Sequence, residues 1–154
     1  MAWMVVRVRG SVHSKHEIGE TLRFLHLSRP NHATVLPEEP SFRGMLMRVQ
    51  GYITWGEADE ETVRLLLASR GRTPAGTPVA APASKATAAT DGPDAAALAK
   101  TVLAGGLPRA EGVRPLFRLH PPKGGWRSTK KPFALGGALG YRGRAINDLV
   151  RRMM

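Results

Sequence analysis

Between Lys123 and Arg144 the chain interleaves cations with flat side chains. Lys123, Arg127, Lys130, Lys131, Arg142 and Arg144 share this stretch with Trp126, Phe133 and Tyr141. Phosphates take positive charge and N–H donors, and unpaired bases take flat faces to stack on. The glycines scattered through the same stretch let a backbone approach a polyanion closely and adopt conformations closed to other residues. The pattern predicts an extended RNA-contacting arm, because a merely solubilising tail has little use for aromatic residues. A second group sits in Arg29-Pro30-Asn31-His32, at a predicted helix-to-strand corner, where side chains project from a rigid base. Arg29 reads as a phosphate ligand. Asn31 and His32 read equally well as RNA contacts or as local features, Asn31 completing the turn and His32 packing. Arg48 is a further phosphate ligand, whereas Arg43 reads as readily as a solvated surface residue.

Other chemistry finds little support. His13 and His16 lie near Glu17 with no third metal ligand in sight, so a capped helix start is the better reading. Glu38-Glu39 and Glu60-Glu61 are adjacent pairs whose side chains point apart, at turn or helix-start positions, and they make poor acid/base couples. The Gly-Gly pairs at 105–106, 124–125 and 136–137 lack the following Lys-Ser/Thr of a phosphate loop. There is no cysteine, which removes disulfides, thiolate metal sites and cysteine nucleophiles and fits a reducing cytoplasm. No catalytic residue, cofactor, metal or small-molecule substrate is therefore expected.

The chain's 154 residues carry a formal net charge of +11. Residues 1–72 contribute ten Lys/Arg against eight Asp/Glu, residues 73–112 three against three, and residues 113–154 ten against one. The basic excess thus lies almost wholly at the C-terminal end. Such a chain attracts polyanions, nucleic acid ahead of an anionic membrane surface. The N-terminal apolar run from Ala2 to Val6 is broken by Arg7 and Arg9 and is too short for a signal core or a membrane span. No membrane partner is expected.

The elements that must position these residues follow from periodicity. Trp3 to Val8 reads as a strand. Ser14-Lys15-His16-Glu17 reads as a capping box opening a helix with Ile18, Leu22 and Leu25 on one face, stopping near Arg29 ahead of Pro30. His32 to Leu36 is a second strand. Ser41 caps a helix carrying Phe42, Leu46 and Val49. Tyr52 to Trp55 is a third strand, and Asp59 caps a helix with Val63, Leu66 and Leu67 inward. Pro93 to Ala104 is a short helix, Leu116 to Leu119 a short strand, and Ala145 to Met153 a terminal helix with Ile146, Leu149, Val150 and Met153 together. These elements predict three regions: a globular α+β core at 1–72, a Pro/Ala/Thr linker at 73–92, and a C-terminal extension at 93–154. The core is expected to be an α+β sandwich of three short strands with helices packed on one face, leaving the other face for a partner.

Leu27-Ser28-Arg29-Pro30-Asn31-His32-Ala33-Thr34-Val35-Leu36, followed by Phe42-Arg43-Gly44-Met45-Leu46-Met47-Arg48-Val49, resembles the signature of the ribosomal protein L-thirty family. The resemblance runs on through Tyr52 to Glu57, Phe117 to Gly125 and Gly137 to Gly143. Those later segments resemble the archaeal and eukaryotic long form, whose eukaryotic counterpart is called L-seven. It covers most of 3–72 and 113–154, with two separated blocks agreeing in order and spacing. The resemblance implies a ferredoxin-like core, a small antiparallel three-stranded sheet with two packed helices, together with a C-terminal extension, no catalysis, and a cytoplasmic place in the large ribosomal subunit. Its implied partners are large-subunit, 23S-type rRNA and neighbouring ribosomal proteins. It also draws Arg118 and His120 into the RNA-binding set. Two other readings stay open: a free-standing RNA- or DNA-binding regulator, which needs a dimer interface or a recognition helix, and a small hydrolase working through His32 and Glu57.

Overall fold

The computed structural model describes residues 1–76, 78, 93–106 and 112–154, so most of the predicted linker lies outside the described residues. The elements are β1 (Ala2–Arg7), α1 (His16–Phe24), β2 (His32–Pro37), α2 (Pro40–Val49), β3 (Ile53–Glu57), α3 (Glu60–Arg70), α4 (Pro93–Gly105), β4 (Phe117–Arg118), β5 (Gly140–Tyr141) and α5 (Ala145–Met153).

The class is α+β, as expected, but the sheet is larger and better covered. Its five strands run in the order β4-β2-β1-β3-β5. All neighbours are antiparallel except β3 and β5. β1 is the central strand and is buried at every position, the near-continuous apolar pattern of a strand covered on both faces. Ala2, Met4 and Val6 join Ala33, Val35 and Phe117 against α3, α4 and α5. Trp3, Val5, Leu36, Ile53 and Trp55 pack on the other side against α1 and α2. Helices therefore lie on both faces rather than one. α1 and α2 cover one face and α3 the other, and the extension adds α4 and α5 beside α3 to complete that second layer. The apolar stripe Ile146, Leu149, Val150 and Met153 is fully committed to this core.

Several helix ends differ from expectation. The capping box does not form: Ser14 donates its hydroxyl to the Ser11 carbonyl at 2.8 Å, and Lys15 holds the N-cap without a side-chain bond. Glu17 instead meets Arg48 of α2 at 3.1 Å. α1 ends at Phe24, well before Arg29. His26 turns left-handed at φ 59°, its N–H reaches the Arg23 carbonyl at 3.0 Å, and the Leu27 N–H reaches the Leu22 carbonyl at 2.8 Å. This double closure satisfies the orphan carbonyls and swings Leu25 and Leu27 into the core. α2 starts one residue before Ser41, at Pro40, whose fixed φ suits a first helical position. Asp59 precedes α3 but makes no side-chain cap; its N–H donates to Asn147 Oδ1 at 3.1 Å.

The largest difference concerns the arm, which is a docked strap rather than an extended tail. It leaves β4, paired to the start of β2 with Arg118 opposite His32, and arrives at β5, paired to the start of β3 with Gly140 opposite Thr54. Between these opposite edges it crosses the sheet end where β1 finishes. His120 and Lys123 donate main-chain N–H groups to the Met153 and Arg152 carbonyls, each at 3.0 Å. Trp126, Ala138 and Leu139 pack on Val8. Gly137 approaches the Lys131 carbonyl too closely to carry a Cβ.

Candidate nucleic-acid interface

The predicted corner is more deeply built than its sequence suggested. Asn31 adopts φ 64°, donates its N–H to the Arg7 carbonyl at 2.8 Å and accepts at its own carbonyl from the Leu119 N–H at 3.2 Å. It therefore ties the end of β1 to the start of the strap, while its side-chain Oδ1 is buried without a partner. His32 is 9% exposed and its Nδ1 also lacks a partner. Burial, followed by the positive charges of Arg118, Arg29 and Arg7, lowers its pKa below the ordinary 6.5. Both effects disfavour the charged form of the ring.

Arg7 lies beneath this corner and was missed by the sequence reading. Its guanidinium donates to the Leu27 carbonyl at 2.7 Å and the Arg9 carbonyl at 2.9 Å, while Nη2 is buried without a partner. Desolvation lowers its pKa. The signal was present in the sequence, since a charged residue closing an apolar strand calls for buried acceptors. Exposed Arg29 and Arg118 flank the same end of the sheet.

Along the strap, His120, Lys123, Arg127, Lys130 and Lys131 are all exposed. None of them forms an ion pair among the described residues. Main-chain bonds hold the strap while these side chains stay free, which presets charge for a polyanion without a large ordering cost.

Other predicted ligands are engaged with the protein. Arg142 is half-buried: Nε donates to Thr54 Oγ1 at 2.8 Å, Nη2 donates to the Ala138 carbonyl at 2.9 Å, and the guanidinium lies 4.7 Å from the Phe133 ring centre. Burial, with Arg152 nearby, brings its pKa down to about 10. Tyr141 donates to Glu57 at 2.9 Å and its ring packs 4.9 Å from Trp55. The hydrogen bond to Glu57 raises the phenol pKa. Arg144 approaches the same carboxylate at 3.8 Å. Tyr141 and Arg144 thus gather around Glu57 at the β5 edge, and Arg48 pairs with Glu17 on the α1–α2 side.

The structure brings Arg29, Asn31, His32, Arg118, His120, Lys123, Arg127, Lys130 and Lys131 to one corner and the strap leaving it; it sets Arg48, Tyr141 and Arg144 apart from them. Thr54, Asn147 and Arg152 are further positioning residues with no signature in the sequence, because each acquires its role only through long-range packing. Among the described residues no group of three His, Asp or Glu side chains is placed to hold a metal, and no helix is long and apolar enough to cross a membrane.

Comparison with known proteins gives concordant results. The family model described as Ribosomal protein L30p/L7e matches residues 3–53, from β1 to the start of β3. The likeness to whole proteins goes further. The large ribosomal subunit protein uL30 of Methanosphaera stadtmanae is 42% identical over 156 residues, covering 99% of each chain. Its namesake in Methanopyrus kandleri is 41% identical over 149 residues, covering 96% of this chain and all of the relative. That of Staphylothermus marinus is 39% identical over 158 residues, covering 99% of this chain and 98% of the relative.

Proposed function

The chain belongs to the ribosomal protein L30p/L7e family, and we propose from this that it is a structural constituent of the large ribosomal subunit that holds 23S-type rRNA. The full-length likeness to archaeal relatives supports the long form, with its C-terminal extension. Its partners are large-subunit rRNA and neighbouring ribosomal proteins, and its place is the cytoplasmic ribosome. The contact is made by exposed Arg29 and Arg118 at the corner and by His120, Lys123, Arg127, Lys130 and Lys131 on the strap, with Asn31 and the buried His32 shaping the corner beneath them. Arg142 acts by holding the strap; Arg48, Tyr141 and Arg144 flank the main surface.

The observation that carries this reading is a basic surface held rigid from below. Its cations are exposed and unpaired, while the backbone that bears them is bonded to β1, β2, β3 and α5. Charge neutralisation and shape fit are the mechanism, and no reaction is involved. The residues a hydrolase would need are otherwise occupied: Glu57 takes Tyr141 and Arg144, and His32 is almost wholly buried.

Crosslinking within purified large subunits tests the reading. Nucleotides captured by Arg127, Lys130 and Lys131 should form one compact rRNA neighbourhood, and the protein should stay with the subunit on sedimentation at high salt. A free-standing regulator would instead be washed off. With about six phosphate contacts, log affinity for isolated RNA should fall against log salt with a slope of roughly −4 to −5; a slope near zero removes the electrostatic mechanism.

A further inference from the structure

Between the strap and α5 the structure opens a cleft of about 510 Å³. This lies within the range of roughly 300–1,000 Å³ typical of pockets that enclose a small ligand. Its lining includes Trp126, Phe133, Arg127, Arg152 and Asp148, together with Gly124 and Gly125, both at positive φ. We propose that this cleft receives a single unstacked guanine base from the bound RNA; the inference rests on the RNA-binding reading above and specifies one subsite of it.

Three features converge on that ligand. The first is a pair of aromatic walls held in different ways. Trp126 is partly buried and wedged between the helical layer and the Val8, Ala138 and Leu139 cluster, so its orientation is fixed by the core. Phe133 is 38% exposed and is backed by the Arg142 guanidinium, which in turn is bonded to Thr54 and Ala138. Stacking on such faces recognises an unpaired base and not a duplex, whose bases are already stacked.

The second feature is Asp148. It is the one carboxylate among the described residues lining a cleft that also contains Arg127, Arg142 and Arg152, and it is exposed. It forms no ion pair with them among the described residues. A carboxylate repels phosphate, so this lining does not suit a phosphodiester alone. Guanine places two N–H donors, N1–H and the 2-amino group, side by side against the two oxygens of a carboxylate. Its O6 then needs a donor, which Arg127 or Arg152 provides. Adenine offers no matching pair of donors on that edge.

The third feature is the glycine pair. Gly124 and Gly125 leave open space around their backbones, with nothing within 4 Å of a Cβ built on either. That open space suits the approach of a nucleotide backbone, and the neighbouring Lys123 and Arg127 suit its flanking phosphates.

The test uses the full-length protein with the RNA pentamers UUGUU and UUAUU and a short duplex. Binding is followed by tryptophan fluorescence. Trp3 and Trp55 are 7% and 8% exposed, and Trp126→Phe identifies the Trp126 share of the signal. UUGUU should quench Trp126 and bind about tenfold more tightly than UUAUU, the discrimination expected of a bidentate base contact. Asp148→Ala should abolish that preference. Phe133→Ala should weaken UUGUU about tenfold and leave duplex binding unchanged. Both substitutions are at exposed positions, and unchanged thermal unfolding verifies the fold. Equal affinity for the two pentamers, or indifference of UUGUU to both substitutions while RNA still binds, overturns the guanine cleft and leaves the broader reading standing. Failure of every RNA to bind overturns both.

Discussion

Gly56 of β3 lies so close to the Gly143 carbonyl that a Cβ on Gly56 would penetrate the oxygen's van der Waals surface. Gly143 joins β5 to α5, so this contact sets how tightly the strap's far end sits on the sheet. Gly56→Ala should therefore destabilise the protein by about 1–3 kcal/mol, the usual cost of overpacking. Amide exchange should accelerate at Tyr141 and Arg142, measured alongside thermal unfolding. Gly19→Ala in α1 is the contrast: a Cβ there meets nothing within 4 Å, and the change should stabilise by up to about 1 kcal/mol.

Asn147 joins three segments. Its Oδ1 accepts from the Asp59 N–H at 3.1 Å, while Nδ2 donates to the Glu57 and Arg144 carbonyls, each at 3.0 Å. It is 3% exposed, so water cannot replace a lost side chain easily. Asn147→Leu should cost about 2–4 kcal/mol by leaving buried backbone groups unpaired. Denaturant unfolding measures this; Asn147→Asp should lose less at acid pH than at neutral pH, where a carboxylate would face two carbonyl oxygens.

His32 gives stability a defined pH dependence. The unfolded chain takes up a proton near pH 6.5, whereas burial and the three nearby arginines hold the folded ring's pKa lower. Between those values the unfolded state binds more protons, so stability falls as pH drops from about 7 and levels off below the folded pKa. His32→Gln should flatten that part of the profile in urea melts at successive pH values. An unchanged slope in the variant would show that other groups produce it.

Lys130 and Lys131 are exposed and make no ion pair among the described residues, so removing them should affect RNA and not the fold. The double change to Ala should leave the unfolding midpoint within experimental error and reduce the salt slope of RNA affinity by about 1–2. Arg142→Ala should behave differently, lowering the melting temperature as well, because it releases Thr54, Ala138 and Phe133.

Local pattern made the first half of the chain legible. Leu22, Leu46, Val49, Val63, Leu66 and Leu67 all face the core as their spacing predicts. What escaped was whatever depends on a distant partner. The alternation of Val6 and Val8 with Arg7 and Arg9 resembles a strand with one wet face, yet Arg7 is buried because Leu27, after α1, presents its carbonyl to it. Gly140 and Tyr141 are too short a segment to announce a strand; they become one because Thr54 offers a parallel edge. Along the strap, residue type picked out the cations but did not distinguish Arg127, which is exposed and makes no ion pair among the described residues, from Arg142, which is anchored. Asp148 gave no sign at all, since an acid in the first turn of a helix is ordinary for dipole reasons alone.

The outermost strands of the sheet, β4 and β5, are each two residues long. Such stubs give another chain almost no ladder on which to pair, whereas the longer β2 and β3 behind them would invite it. By capping the starts of β2 and β3, the polycation-bearing extension leaves the sheet with short end strands, a poor template for edge-to-edge self-association.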